Sequence, residues 1–79
     1  MKLSYDPRYN VAYISLREGA AQVESVTVGE DLAIDVDAEG RVVGIEFLNA
    51  NVQLKGEGTG QLLVVNEADG QTTALPLAV

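Results

Sequence analysis

The sequence contains no cysteine and no histidine. The first absence excludes disulfides, thiolate zinc sites and cysteine nucleophiles. The second removes the common proton shuttle, imidazole metal ligation and the base of a serine triad. Cations are scarce too: five Lys and Arg stand against twelve Asp and Glu, a net charge of −7. Phosphate binding needs a concentration of Lys and Arg, so this balance argues strongly against nucleic acid as a direct partner. No apolar run approaches the ~18 residues of a spanning helix, and no signal-peptide pattern opens the sequence. The expectation is a cytoplasmic protein without a membrane partner and without a cofactor.

What is present is the composition of a folded chain. Of 79 residues, 47% are hydrophobic, and only two are proline. A chain of 8.4 kDa folds to about 4,600 Å² of surface from about 12,200 Å² unfolded, so roughly 60% is buried. One small domain over residues 1–79 is expected, with marginal stability as a lone monomer.

Gly-containing turn signals recur every ten or so residues between stretches that favour strand, the mark of a small antiparallel β protein. Leu3 and Tyr5 alternate with Lys2 and Ser4 in a first strand. Asp6-Pro7 interrupts it, and the pair suits one helical turn over residues 7–10. Residues 11–16 are apolar on both faces and predict a central strand; residues 23–28 predict a third. Leu32, Ile34 and Val36 alternate with Ala33, Asp35 and Asp37. Asp37-Ala38-Glu39-Gly40 then turns the chain into a return strand carrying Val43, Ile45 and Phe47 on one face. Ile34 and Ile45 are expected in the core of this hairpin.

Asn49 or Asn51 suits the cap of a short helical turn through Leu54. Residues 51–60, with Gly56, Gly58 and Gly60, read as a flexible loop. A last hairpin spans residues 61–79, turning at 66–70, with Pro76 placing its second strand at an edge. The predicted fold is all-β: a twisted or rolled antiparallel meander of about five to seven short strands, with room for one short helical turn. An α+β fold with a genuine helix after Leu48 is the alternative.

Lys2-Leu3-Ser4-Tyr5-Asp6-Pro7, Ala12-Tyr13-Ile14-Ser15-Leu16, Ile34-Asp35-Val36-Asp37, Gly40-Arg41-Val42-Val43-Gly44-Ile45-Glu46 and Leu48-Asn49-Ala50 follow one another over residues 1–50. In order and spacing this resembles the small prokaryotic family called domain of unknown function 2283. The resemblance implies a mainly β fold and no established enzymatic activity. Some members are thought to sit beside small toxin-like proteins, which implies an antitoxin-like role. It supplies no catalytic residues, and the final third departs from the family pattern.

Four constellations invite a chemical reading. Asp35, Asp37, Glu39, Gly40 and Glu46 nearly match a calcium loop, with Glu39 where Asp or Asn is usual. The flanking residues alternate as strands do, so Glu46 would lie about 20 Å along the strand from Gly40, unable to close a coordination sphere. A solvated acidic hairpin tip is expected instead, with no paired acid and base. Tyr5, Tyr9 and Tyr13 are spaced at four, but Pro7 breaks the helix that would align them. Tyr5 and Tyr13 are expected at the core margin, hydroxyls outward. Gly56-Glu57-Gly58-Thr59-Gly60 has no following Lys and opens no helix, so it is no phosphate loop. Ser4, Ser15 and Ser25 lack an activating base.

No catalytic, cofactor or metal residue is therefore assigned. The expectation is a non-enzymatic interaction protein that self-associates as a homodimer and has a possible heterologous partner, a basic toxin among them. The alternative is a module binding a small ligand or a metal ion.

Overall fold

The computed structural model describes residues 1–55, 60–77 and 79. Strands β1 (Lys2–Asp6), β2 (Val11–Ser15), β3 (Glu24–Thr27), β4 (Leu32–Val36) and β5 (Val42–Leu48) form one antiparallel sheet. Helix α1 (Ala50–Lys55) follows β5, and β6 (Gln61–Val65) and β7 (Thr72–Pro76) form a separate two-stranded ribbon. The all-β expectation holds, with one short helix attached.

The order across the main sheet is β1-β2-β5-β4-β3, so the strands do not follow one another as in a simple meander. Consecutive strands usually pair, and β1–β2, β3–β4 and β4–β5 obey that rule. β2 instead pairs with β5, bringing Ile14 opposite Ile45 and Ala12 opposite Phe47. β5 carries the two residues that need the centre, Val43 and Gly44, both buried. The chain between β2 and β3 has no tight hairpin turn and crosses to the far edge of the sheet.

Register assigns the two faces, because successive side chains along a strand point to opposite sides. Leu3, Tyr5, Ala12, Ile14, Val26, Leu32, Ile34, Ile45 and Phe47 share one face. Lys2, Ser4, Tyr13, Ser15, Ser25, Asp35, Gly44 and Glu46 share the other. Ile34 and Ile45 are thus direct cross-strand neighbours on the apolar face, as expected, but neither is fully buried. Among the described residues the buried hydrophobics are Ala12, Val43 and Ala50 alone, all of them small or medium in size.

Two local expectations change. Residues 7–10 form a hydrogen-bonded turn and no helix: the Arg8 amide donates to Asp6 Oδ1 at 2.9 Å, and Asn10 sits at φ 55°. α1 is the short helical turn expected through Leu54, so residues 51–55 are helix and not part of the loop expected over 51–60; residues 56–59 lie outside the described residues. The helix is not capped by Asn49 or Asn51. Asn49 has φ 52°, outside the extended conformation an N-cap needs. Asn10, from the β1–β2 turn, supplies the cap: its carbonyl accepts from the Ala50 amide and its Oδ1 from the Asn51 amide, both at 2.9 Å.

The ribbon turns at residues 66–70 as expected, and its return strand runs Thr72–Pro76, shorter than the expected stretch to residue 79. Every residue of β6 and β7 is exposed. Leu62, Leu75 and Leu77 approach Met1 and, on the main sheet, Leu3 and Ile14 across an apolar cavity of about 310 Å³.

Candidate functional site

Three places bring functional groups or unusual surface together: the polar face of the sheet, the β4–β5 turn, and the apolar face with its ribbon. On the polar face, Tyr13 opposes Glu46 on β5, two residue pairs from Gly44. Its ring lies across Gly44, whose missing side chain is what makes room, since a Cβ there would overlap the phenol. The hydroxyl passes over β5 and donates to Asp35 Oδ2 on β4 at 2.8 Å. Ser25 on β3 donates to Asp35 Oδ1 at 2.5 Å. One carboxylate thus ties together β2, β3 and β4 across the glycine of β5.

This placement corrects the expectation for Tyr13. It lies on the face opposite the apolar one, while Tyr5 shares the apolar face and donates to Asn10 Oδ1 at 3.3 Å. Tyr9 is exposed, with the Arg8 guanidinium 5.6 Å from its ring centre. Partial burial, the hydrogen bond to Asp35 and the negative charges of Asp35 and Glu46 all raise the Tyr13 hydroxyl above its ordinary pKa of 10.0. A hydroxyl held neutral is a donor, not a base. Ser25 is bound to the same carboxylate; Ser4 and Ser15 share the face, and among the described residues neither hydroxyl is hydrogen-bonded to a carboxylate. The arrangement braces a sheet.

The second place corrects the solvated hairpin tip. Asp37 is 8% exposed. Its Oδ1 accepts from the Glu39 and Arg41 amides at 3.0 and 2.9 Å, and Arg41 Nε meets Oδ2 at 2.9 Å. Chiefly the Arg41 amide, with the guanidinium and the Glu39 amide, holds its carboxyl below the usual 3.8, against the opposing effect of burial. Gly40 completes the turn at φ 81°, where a side chain would be strained. Asp37 is therefore the organiser of the turn, with both carboxylate oxygens bonded within it. Arg41 also reaches Glu39 at 3.5 Å. A polar concavity of about 480 Å³ opens beside it, lined by Arg17, Glu18, Gln22, Asp37, Glu39 and Arg41.

Asp35, Asp37, Glu39 and Glu46 are thus dispersed over a sheet face and a turn, and the calcium-loop spacing does not become a calcium loop. Among the described residues no group of three or more Asp and Glu side chains converges as a metal site. The Gly56 to Gly60 motif falls mostly on residues outside the described ones; Gly60 itself leads into β6 and accepts from the Leu77 amide at 2.7 Å. No helix among the described residues is long and apolar enough to cross a membrane.

The cluster that sequence reasoning missed is Asn10, Asn49 and Asn51. Asn10 Nδ2 donates to Asn51 Oδ1 at 2.7 Å and to Asn49 Oδ1 at 3.3 Å, completing the latch that caps α1. The paired Asn residues flanking Ala50 were the available signal; their partner, some forty positions earlier, carried none.

The third place is a surface. The apolar face is half-covered, and on the ribbon Leu62, Leu63, Val64, Val65 and Leu75 are 42 to 57% exposed. The fold and these surfaces define a small antiparallel β protein braced on its polar face and open on its apolar one. Residues 2–51 match the family described as Protein of unknown function (DUF2283), and the chain belongs to that family. Neither the curated proteins nor the solved structures give a significant match. The matched segment covers the whole five-stranded sheet and ends inside α1; the ribbon lies beyond it.

Proposed function

We propose that this protein is a non-enzymatic interaction module that works as a homodimer, associating through its C-terminal ribbon and open apolar face. The observation that carries the reading is surface area. The folded chain exposes 5806 Å², about 1,200 Å² more than the ~4,600 Å² of a compact monomer of its mass. A standard interface removes about 800 Å² from each partner, so the excess is enough to build one. The radius of gyration, 14.1 Å, exceeds the 11–12 Å or so of a compact chain of this length in the same way. The excess is apolar where it matters, at Leu62, Leu63, Val64, Val65 and Leu75.

Light scattering at micromolar concentration tests this reading, with a mass of about twice 8.4 kDa expected. A stable 8.4 kDa species at those concentrations defeats it.

The net charge of −7 favours a basic protein as any heterologous partner, because opposite charge speeds encounter. A toxin neutralised in antitoxin fashion is one such partner. Affinity capture from native lysate with intact mass measurement tests it, and retention of acidic proteins alone contradicts it.

A further inference from the structure

Among the described residues, four strands present an open hydrogen-bonding edge: β1 and β3 at the sides of the main sheet, and β6 and β7 of the ribbon. Natural sheets guard such edges with charge or proline, because an unpaired row of N–H and C=O groups is a template for another strand. β1 carries Lys2 and Asp6, β3 carries Glu24, and β7 carries Pro76. β6 reads Gln-Leu-Leu-Val-Val, with neither charge nor proline.

The register shows which atoms that edge offers. The Leu77 amide donates to the Gly60 carbonyl and the Asn66 amide to the Gln71 carbonyl, so residues 60 and 66 bond toward the other strand. Bonded positions alternate along an antiparallel strand, so Leu62 and Val64 turn their amides toward β7. Gln61, Leu63 and Val65 therefore turn theirs outward. The same alternation turns Pro76, opposite Gln61, toward the outer side of β7, where it supplies no donor. One edge of the ribbon is closed by that proline. The other is complete.

We infer that β6 pairs antiparallel with β6 of a second copy about a two-fold axis at Leu63, joining two ribbons into one four-stranded sheet. The inference rests on the self-association proposed above and adds its seam. In this register Gln61 opposes Val65 of the second copy and Leu63 opposes itself, so the outward donors and acceptors of one strand meet those of the other. Charge allows it: β6 and β7 contain no Asp, Glu, Lys or Arg, and Glu67 and Asp69 sit in the turn at the far end. Two chains of −7 meet where neither carries charge. Leu63, on the ribbon face away from Leu62 and Leu75, is 57% exposed in the single chain.

The chain has no native cysteine, so single substitutions report cleanly. Full-length Leu63→Cys and Ala74→Cys are oxidised at micromolar concentration and scored for covalent dimer. Across paired strands, position 63 faces its counterpart within about 5.5 Å, inside disulfide reach. Ala74, beside Leu63 on β7, lies about 14 Å from its counterpart, three strand spacings away. Most of the Leu63→Cys chain should cross-link, and at least tenfold less of the Ala74→Cys chain. In parallel, Leu63→Pro removes an outward amide while sparing the bonds to β7, and Leu63→Lys places two like charges on the axis. Both should sediment as monomers with the strand signal of the parent. Cross-linking as efficient at 74 as at 63, or dimers that survive both substitutions, overturns the β6 seam and leaves self-association standing. A parent protein that is itself monomeric overturns the reading beneath it.

Discussion

The two β regions of this chain obey the same local rules and end in different states. In the main sheet, β5 is flanked on both sides, its polar face is spanned by Tyr13 and Asp35, and its end is tied to α1 through Asn10. In the ribbon, β6 has one neighbour and its five residues are all exposed. Strand propensity is, if anything, stronger in the ribbon, where Leu62 to Val65 is unbroken by charge. What differs is the supply of partners. The sheet finds them within residues 2–55, and among the described residues the ribbon finds them for only part of one face. An apolar strand without a second face to bury is an unfinished structure, and the dimer proposed above would finish it.

The sharpest way to break this comparison is to weaken the sheet at its centre. Ile45 lies opposite both Ile14 and Ile34. Ile45→Ala should cost about 2–3 kcal/mol in denaturant unfolding, the low end for a large-to-small change because the side chain is not fully buried. A loss under ~0.5 kcal/mol would mean the apolar face contributes little. Next is the polar face. Gly44→Ala forces the Tyr13 ring off its seat and should cost about 1–3 kcal/mol, as overpacking does. The paired change Gly44→Ala with Tyr13→Ala should recover part of that loss; no recovery would refute the stacking account.

Asn10→Ala removes the long-range cap of α1 and should cost about 1–2 kcal/mol, whereas Asn51→Ala should cost less, since Asn51 contributes its amide to the cap and keeps it. The acid side sharpens the account of the turn. Asp37 has a folded pKa below its unfolded value, so its contribution is present above about pH 4 and is lost as pH falls through the folded value. Stability against pH should drop there in the parent and less steeply in Asp37→Asn. The smallest effect concerns Tyr13. Asp35→Asn removes a charge that keeps the phenol neutral, so tyrosinate absorbance should begin to rise at lower pH than in the parent. An unchanged titration would separate Asp35 from Tyr13.

The strands and the two hairpins were legible because alternation and turn chemistry are local. Leu32, Ile34 and Val36 against Ala33 and Asp35 named a face, and Asp37 to Gly40 named a turn. The insertion of β5 between β2 and β4 was not legible, because pairing partners are chosen by packing across some thirty residues. Asp37 misled for a related reason: a carboxylate in a turn looks solvated until its own hairpin amides are seen to bond its Oδ1. Tyr13 misled for the first of these reasons, since its seat is a glycine on a strand not expected beside it. The unguarded edge of β6 could be read directly, because charge and proline are visible residue by residue.

Hydrogen exchange at Gln61, Leu63 and Val65 tests the central claim most directly, since these amides face away from β7 and gain partners only from another strand. Followed over a hundredfold range of protein concentration, their exchange should slow as concentration rises, while the amides of β5 stay protected throughout. Exchange of these three amides at solvent rates at every concentration would contradict the account.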